Sequence, residues 1–354
     1  MSAKFGPSVK GTGPLNARIF LLGEAPGEHE TERGLPFVGP SGQELRRMLR
    51  TIGVPLDDCY RTNVFSRRPP NNNVACFGVP RGSACRLDLG PLASEPLVFL
   101  DPQWEGELER LQSELVRCNP NIIIALGNTA CWALGLGLGI NGLRGSVHSI
   151  EANGIAFKVL PTYHPSAVLR QWDLRVIAIA DLEKARVESA YPELRYDRST
   201  LWLNPTLDDL AEFDRDHMSR STLTACDIET KRGQITCISF APSVDHSLAI
   251  PFWLEGSEPN YWSEAEEPLA WRYVIKWLED PALTKVFQNG LYDLSYLMKF
   301  CTPRSCTEDT MLLHHSLYSE LQKGLGFLGS TYANVPSWKS MRTFKKEEQL
   351  KRDD

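Results

Sequence analysis

The apolar run Ile19-Phe20-Leu21-Leu22, stopped at once by Gly23-Glu24-Ala25-Pro26-Gly27, constrains this chain more than any other stretch. A strand that ends in Gly-Glu-x-Pro-Gly sets carboxylates at the C-terminal edge of a parallel sheet, where open α/β folds build their sites. An acidic loop follows, then Phe37 in a Pro-Phe-Val-Gly setting, and Ser41-Gly42-Gln43-Glu44 opens a basic amphipathic helix. Further apolar runs at 18–22, 121–126 and 157–160 alternate with helical patterns at 42–52, 103–116 and 128–134, and a helix over 174–188 closes the series. This alternation predicts an α/β domain with a mainly parallel sheet.

At 354 residues two domains are expected, with the boundary in the Pro-containing, mixed-charge segment 191–201. The second half reads as another α/β unit. Strands are expected at 201–203, 223–228, 234–241, 247–252 and 284–287, with Lys231-Arg232-Gly233 as a hairpin turn. Helices are expected at 208–213, 269–278 and 290–299. The tail 344–354 reads as a charged helical fragment that continues beyond the sequence given.

A net charge of −6 excludes a generally basic coat but not a local basic cleft. Arg46, Arg47, Arg50, Arg61, Arg67 and Arg68 all fall close to the first motif. Nine scattered cysteines without a CxxC pair fit reduced thiols and a cytoplasmic location. Residues 121–140 are interrupted by Asn128, Thr129 and four glycines, so they read as strand, turn and helix rather than as a membrane span.

Four blocks in the first half resemble family 4 uracil-DNA glycosylases and their phage relatives. They are Gly23–Arg50, Thr62-Asn63-Val64 with Arg67-Arg68-Pro69-Pro70-Asn71, Ile124–Ala130, and Pro161-Thr162-Tyr163-His164-Pro165-Ser166-Ala167-Val168-Leu169-Arg170. The resemblance implies an α/β/α sandwich with a parallel sheet over 1–195, acting on uracil-containing DNA without a cofactor. An enzyme that attacks a base in duplex DNA must first flip it out. Phe37 would stack on that base, Asn63 would match its O4 and N3–H edge, and Ala25 would line the pocket beside them. His164, Glu30 and Glu24 carry the catalytic expectation. His164 would donate to uracil O2 as charge builds on the leaving base, and Glu30 would position water or stabilise the cationic sugar. Ser166, Val168, Leu169 and Arg170 are expected at the DNA, the two apolar residues as a wedge and Arg170 on phosphate.

Two departures from that family stand out. Thr31 occupies a place where a second acidic residue is common. The family's iron–sulfur cluster needs four cysteines, two near the N-terminus and two around the Arg-Pro-Pro loop. Here the N-terminal pair is missing, Arg67 stands where the third would be, and only Cys76 or Cys85 is left for the fourth. No cluster is therefore expected.

In the second half, Asp227 and Glu229 share one face of a strand, and Asn289 with Asp293 follows some sixty residues later. The pattern resembles the first two motifs of DEDD-type 3′–5′ exonucleases, as in proofreading domains of family A DNA polymerases. It implies a ribonuclease H-like domain over 196–354 with Asp227, Glu229 and Asp293 binding Mg2+ or Mn2+. Glu308-Asp309-Thr310 and the stretch 317–325 resemble phage versions, with Asp309 structural. The third motif, Tyr-x-x-x-Asp or His-x-x-x-x-Asp, is absent after Trp338, and Asp353 and Asp354 have no Tyr or His at the required offset. The domain is thus expected to be truncated and inactive as a nuclease. The whole resembles the N-terminal part of a phage or prophage DNA polymerase, with primer-template or single-stranded DNA and a following polymerase domain as partners. The alternative is a non-catalytic module that senses uracil or grips template.

Overall fold

The computed structural model describes residues 4–85, 89–94, 96–195, 199–254 and 260–333. Contacts divide these into two units: 4–195 with 326–333, and 199–325. The first contains a five-stranded sheet in the order Tyr60–Asn63, Ile19–Gly23, Ile122–Leu126, Ile155–Thr162, His148–Ala152. The first four strands are mutually parallel, and the last joins as an antiparallel hairpin. Its loop is Asn153-Gly154, both at positive φ, the geometry of a tight hairpin turn. The two central strands, Ile19–Gly23 and Ile122–Leu126, are buried at every position, as strands covered on both faces must be.

Helices Pro40–Thr51, Glu105–Cys118, Asn128–Ala133, Pro165–Arg170 and Leu174–Glu188 connect these strands. One core gathers Phe20, Leu22, Leu111, Ile123, Trp132 and Val159. Beneath it, Arg144 and Asp181 form a buried ion pair, and Thr162 Oγ1 donates to Asp181 Oδ2 at 2.7 Å. That bond anchors the end of the strand two residues before His164.

The sequence assigns 196–354 to one domain, whereas residues 326–333 pack with the first unit. The cause is local: Lys184 Nζ donates to the carbonyls of Gly145, Ser330 and Ala333, at 2.7, 2.6 and 3.0 Å, and so caps the end of helix Leu325–Tyr332. The expected tail helix and the region of the missing third motif lie outside the described residues.

The second unit holds a six-stranded mixed sheet in the order Glu308–Asp309, Thr284–Phe287, Leu223–Lys231, Gln234–Ala241, His246–Pro251, Thr200–Trp202. Leu223–Lys231 pairs antiparallel with Gln234–Ala241 and parallel with Thr284–Phe287. Helices Leu207–Asp216, Glu267–Glu279 and Leu291–Leu297 pack around a core of its own, including Phe213, Phe240 and Trp277. Both units are α/β, the first with a mainly parallel sheet and the second with a mixed one. Among the described residues no helix is long and apolar enough to cross a membrane.

Candidate active site and a second carboxylate site

Four strand ends of the first sheet converge on a cleft of about 690 Å3 lined by Glu24, Ala25, Phe37, Asn63, Tyr163 and His164, with Ser166, Arg170, Arg68 and Asn72 at its sides. The parallel register explains the meeting. Gly23 lies level with Asn63, and Leu126 with Thr162, so the residues just beyond each pair emerge at one edge.

Phe37 is 7% exposed and sits at φ 58°, a left-handed conformation that bulky residues rarely adopt. Two contacts hold it there. Glu30 Oε1 accepts from the N–H groups of Val38 and Gly39 at 3.0 and 2.7 Å, while Oε2 accepts from Gly27 N–H at 3.1 Å. Gly42, on the helix that follows, lies so close to Phe37 that a Cβ would fall 2.0 Å from its carbonyl oxygen. Glu30, expected to position water or stabilise the cationic sugar, lines the cleft, and its carboxylate also ties the Phe37 loop to the acidic turn.

Asn63 is buried, and Gly23 runs past its side chain: a Cβ there would stand 2.4 Å from Asn63 Oδ1 and 2.8 Å from Phe37 Cζ. The wall carrying Asn63 is clamped by Arg110, whose Nη2 donates to the carbonyls of Asn63 and Val64 at 2.7 and 2.8 Å. Arg110 is in turn held by Glu107 and Glu114.

His164 caps the helix Pro165–Arg170: its Nδ1 accepts from Ser166 N–H at 3.2 Å and lies 2.7 Å from Ser166 Oγ. A ring nitrogen that accepts from a backbone N–H carries a lone pair, so the neutral ring bears its proton on Nε2. Burial, reinforced by the charge of Arg170, lowers the His164 pKa to about 4. Unfolded histidine binds a proton near pH 6.5 and the folded ring does not until about pH 4. The unfolded state therefore takes up more protons in that window, and this residue makes stability fall as pH drops through it. A thermal-melt series from pH 7 to 4 is expected to show a shallower decline for His164→Gln than for the parent chain; parallel declines would refute the neutral assignment.

Glu24, Glu28 and Glu30 are the acids that line the cleft, and Glu24 lies just beyond the strand Ile19–Gly23. Burial raises its pKa, opposed by a hydrogen bond from Thr129 and by the charge of Arg170. Thr129 Oγ1 donates to Glu24 Oε2 at 2.5 Å, and no described residue engages Oε1. Ser166 and Arg170 line the cleft. Val168 does not. It is fully buried, because on a helix that turns Leu169 outward its neighbour faces the core; Leu169 is 44% exposed and is the apolar side chain available at this surface. Thr129 and Arg110 were not assigned from sequence. Thr129 sits inside a matched block, whereas nothing local to Arg110 signals its hold on the Asn63 wall, since those two carbonyls lie 46 and 47 residues away.

Among the described cysteines of this unit, Cys76 is exposed, Cys85 half-buried, and Cys59, Cys118 and Cys131 are buried. Among the described residues no three His, Cys, Asp or Glu side chains gather closely enough to hold a metal.

That last observation also bears on the second unit. Asp227 and Glu229 do alternate outward from the strand Leu223–Lys231, and Asp293 comes up against it, its Oδ1 accepting from Ile228 N–H at 3.1 Å. Burial, with Asp227 nearby, pushes the Asp293 pKa up to about 6. The three carboxylates expected as ligands are thus neighbours but not a gathered ligand set. Asp309 is structural: it caps the helix Thr310–Leu317 and accepts from the N–H groups of Asn289 and Gly290.

A family model for the uracil DNA glycosylase superfamily matches residues 10–195. A type-4 uracil-DNA glycosylase of Thermotoga maritima is 35% identical over 184 residues, which are 50% of this chain and 81% of that protein. A DNA polymerase of Bacillus phage SP01 is 28% identical over 182 residues, covering 51% of this chain but only 17% of the polymerase. Among solved structures, the Aedes aegypti Nibbler EXO domain shares 19% identity over 42% of this chain and 75% of its own, with a TM-score of 0.32. A likeness at that level carries no argument about function.

Proposed function

The chain belongs to the uracil DNA glycosylase superfamily, and on that premise we propose that it hydrolyses the N-glycosidic bond of deoxyuridine in DNA. The observation that carries this reading is the meeting of Phe37, Asn63, Glu24 and His164 in one cleft, each held by a separate support.

The chemistry follows from those supports. A flipped uracil enters between the Phe37 ring and the opposite wall, at an unstacking cost of a few kcal/mol. The Asn63 amide offers one acceptor and one donor, matching uracil N3–H and O4; cytosine presents the opposite pattern on that edge. As the bond from C1′ to N1 breaks, its electron pair passes to the base. His164 Nε2–H then donates to uracil O2, where the charge collects. Water attacks C1′ and gives its proton to Glu24, which lines the cleft. Arg170 supplies positive charge for a flanking phosphate. None of these steps calls on a metal or a cluster.

Thr129 orients Glu24, and its hydrogen bond favours the carboxylate against the burial that raises its pKa, so it gives a test of this reading. Removing a bond that favours the carboxylate raises its pKa, and the pH below which uracil release fails should move upward in Thr129→Val. Thr129→Ser should restore the parent profile, and Glu24→Gln should remove the acid limb with most of the activity. An acid limb unmoved in Thr129→Val would take Glu24 out of the chemistry.

For the second unit we favour a nucleic-acid-holding role of DEDD exonuclease ancestry. Support comes from Asp227 and Glu229 on one face of the strand Leu223–Lys231 and from Asp293 packed against it. A polymerase domain as its natural companion rests on the resemblance to the phage enzyme.

A further inference from the structure

Trp172 is 60% exposed, the most exposed tryptophan among the described residues, and it follows Arg170 of the cleft by two residues. Leaving so much of an indole in water forgoes a large hydrophobic gain, and the ring is nonetheless held in place. The Arg175 guanidinium lies 5.2 Å from the ring centroid. Arg175 Nε donates at 2.8 Å to Glu44 Oε1, and Glu44 is fully buried in the helix whose first residues line the cleft. The backbone adds a bond from Arg175 N–H to the Trp172 carbonyl at 2.9 Å. A buried carboxylate thus fixes an arginine, and the arginine supports the indole from one side.

We propose that Trp172 is a stacking platform for an unpaired DNA base flanking the excised uridine. The reading rests on the glycosylase assignment for the meaning of the cleft, but its ligand chemistry stands apart from catalysis. Leu169, 44% exposed, gives the adjoining apolar contact, and Arg170, Arg47 and Arg175 place positive charge around it for the backbone. Every base has a π-face, so the platform favours single strands without choosing sequence. It also accounts for a feature that the four matched blocks leave unused, since Trp172 falls just after the last of them.

The test uses the full chain and two single-stranded oligonucleotides carrying 2-aminopurine, one with deoxyuridine as its 3′ neighbour and one with thymidine there. Stacking quenches 2-aminopurine, so fluorescence reports the contact and its titration gives the affinity. Trp172→Ala is expected to abolish the quench on both strands and weaken binding roughly 5- to 150-fold, which is the 1–3 kcal/mol typical of one stacked base. Trp172→Phe should restore most of it. Single-turnover uracil release at saturating enzyme should stay at the parent rate, with KM raised, as a contact outside the chemistry requires. Binding and quenching unchanged in Trp172→Ala would overturn the proposal. If the parent chain releases no uracil but Trp172→Ala still loses the quench, the glycosylase assignment fails and the platform stands.

Discussion

Replacing His164 by alanine is expected to slow uracil release by roughly 10²–10³-fold, the loss of about 2.7–4 kcal/mol that follows removal of one donor from a developing oxyanion. The size follows from the protonation state. The N–H of Ser166 occupies Nδ1, and the lowered pKa keeps the ring neutral, so Nε2–H is a preset donor that needs no proton uptake before the reaction. His164→Gln retains a donor on a more flexible stem and should fall between the parent and alanine. The readout is single-turnover uracil release at saturating enzyme, with binding of a uracil-containing strand measured in parallel. Binding should change little, because the interaction strengthens only as charge moves onto the base. A comparable loss in binding would recast His164 as a ground-state contact.

Gly23→Ala is the second large effect. Gly23 ends a fully buried strand and has no left-handed backbone requirement, so alanine suits its conformation. The difficulty is space. The new methyl would lie 2.4 Å from Asn63 Oδ1 and 2.8 Å from the Phe37 ring, both below any tolerable carbon contact. Neither neighbour can retreat freely: Arg110 holds the Asn63 backbone, and Glu30 with Gly42 fixes the Phe37 loop. The base reader and the stacking ring are displaced together, and misplacement on the ångström scale costs on the order of 10²-fold in rate. The variant should fold, with the strand pairing of Ile19–Gly23 intact by circular dichroism and a cooperative melt. A folded variant with parent-like kcat/KM would show that Phe37 and Asn63 do not jointly form the base pocket.

The chemistry-bearing blocks were legible because each is local. Gly23–Gly27, Thr62–Asn63, Gly127–Thr129 and Thr162–Arg170 all fall at strand ends, and parallel pairing brings strand ends together whatever the intervening sequence does. The hairpin ending the sheet carries its own signal in Asn153-Gly154, yet an eight-residue strand around a four-residue apolar run was read too short. Other features depend on distant partners. Nothing in the local sequence says that Glu30 reaches eight and nine residues ahead to hold Phe37 in a left-handed conformation, or that Arg110 secures Asn63. The Val168–Leu169 pair shows the limit of residue type as evidence. Both are apolar and adjacent, and only the helix phase decides that one enters the core and the other meets solvent. In the second unit the alternation of Asp227 and Glu229 was readable from the strand period. Whether three carboxylates close on a metal depends on side-chain placement that spacing does not determine.

The central claim is that the Phe37–Asn63–His164 cleft is catalytic and not merely a grip on DNA. The most direct measurement is the stoichiometry of free uracil against abasic sites, after the full chain meets a single strand with one deoxyuridine in excess EDTA. Uracil and abasic sites appearing in equal amounts, with none from matched thymidine or deoxycytidine strands, is the predicted result. A strand that is bound in the same tubes but yields neither product would contradict the account and leave the chain as a non-catalytic binding module.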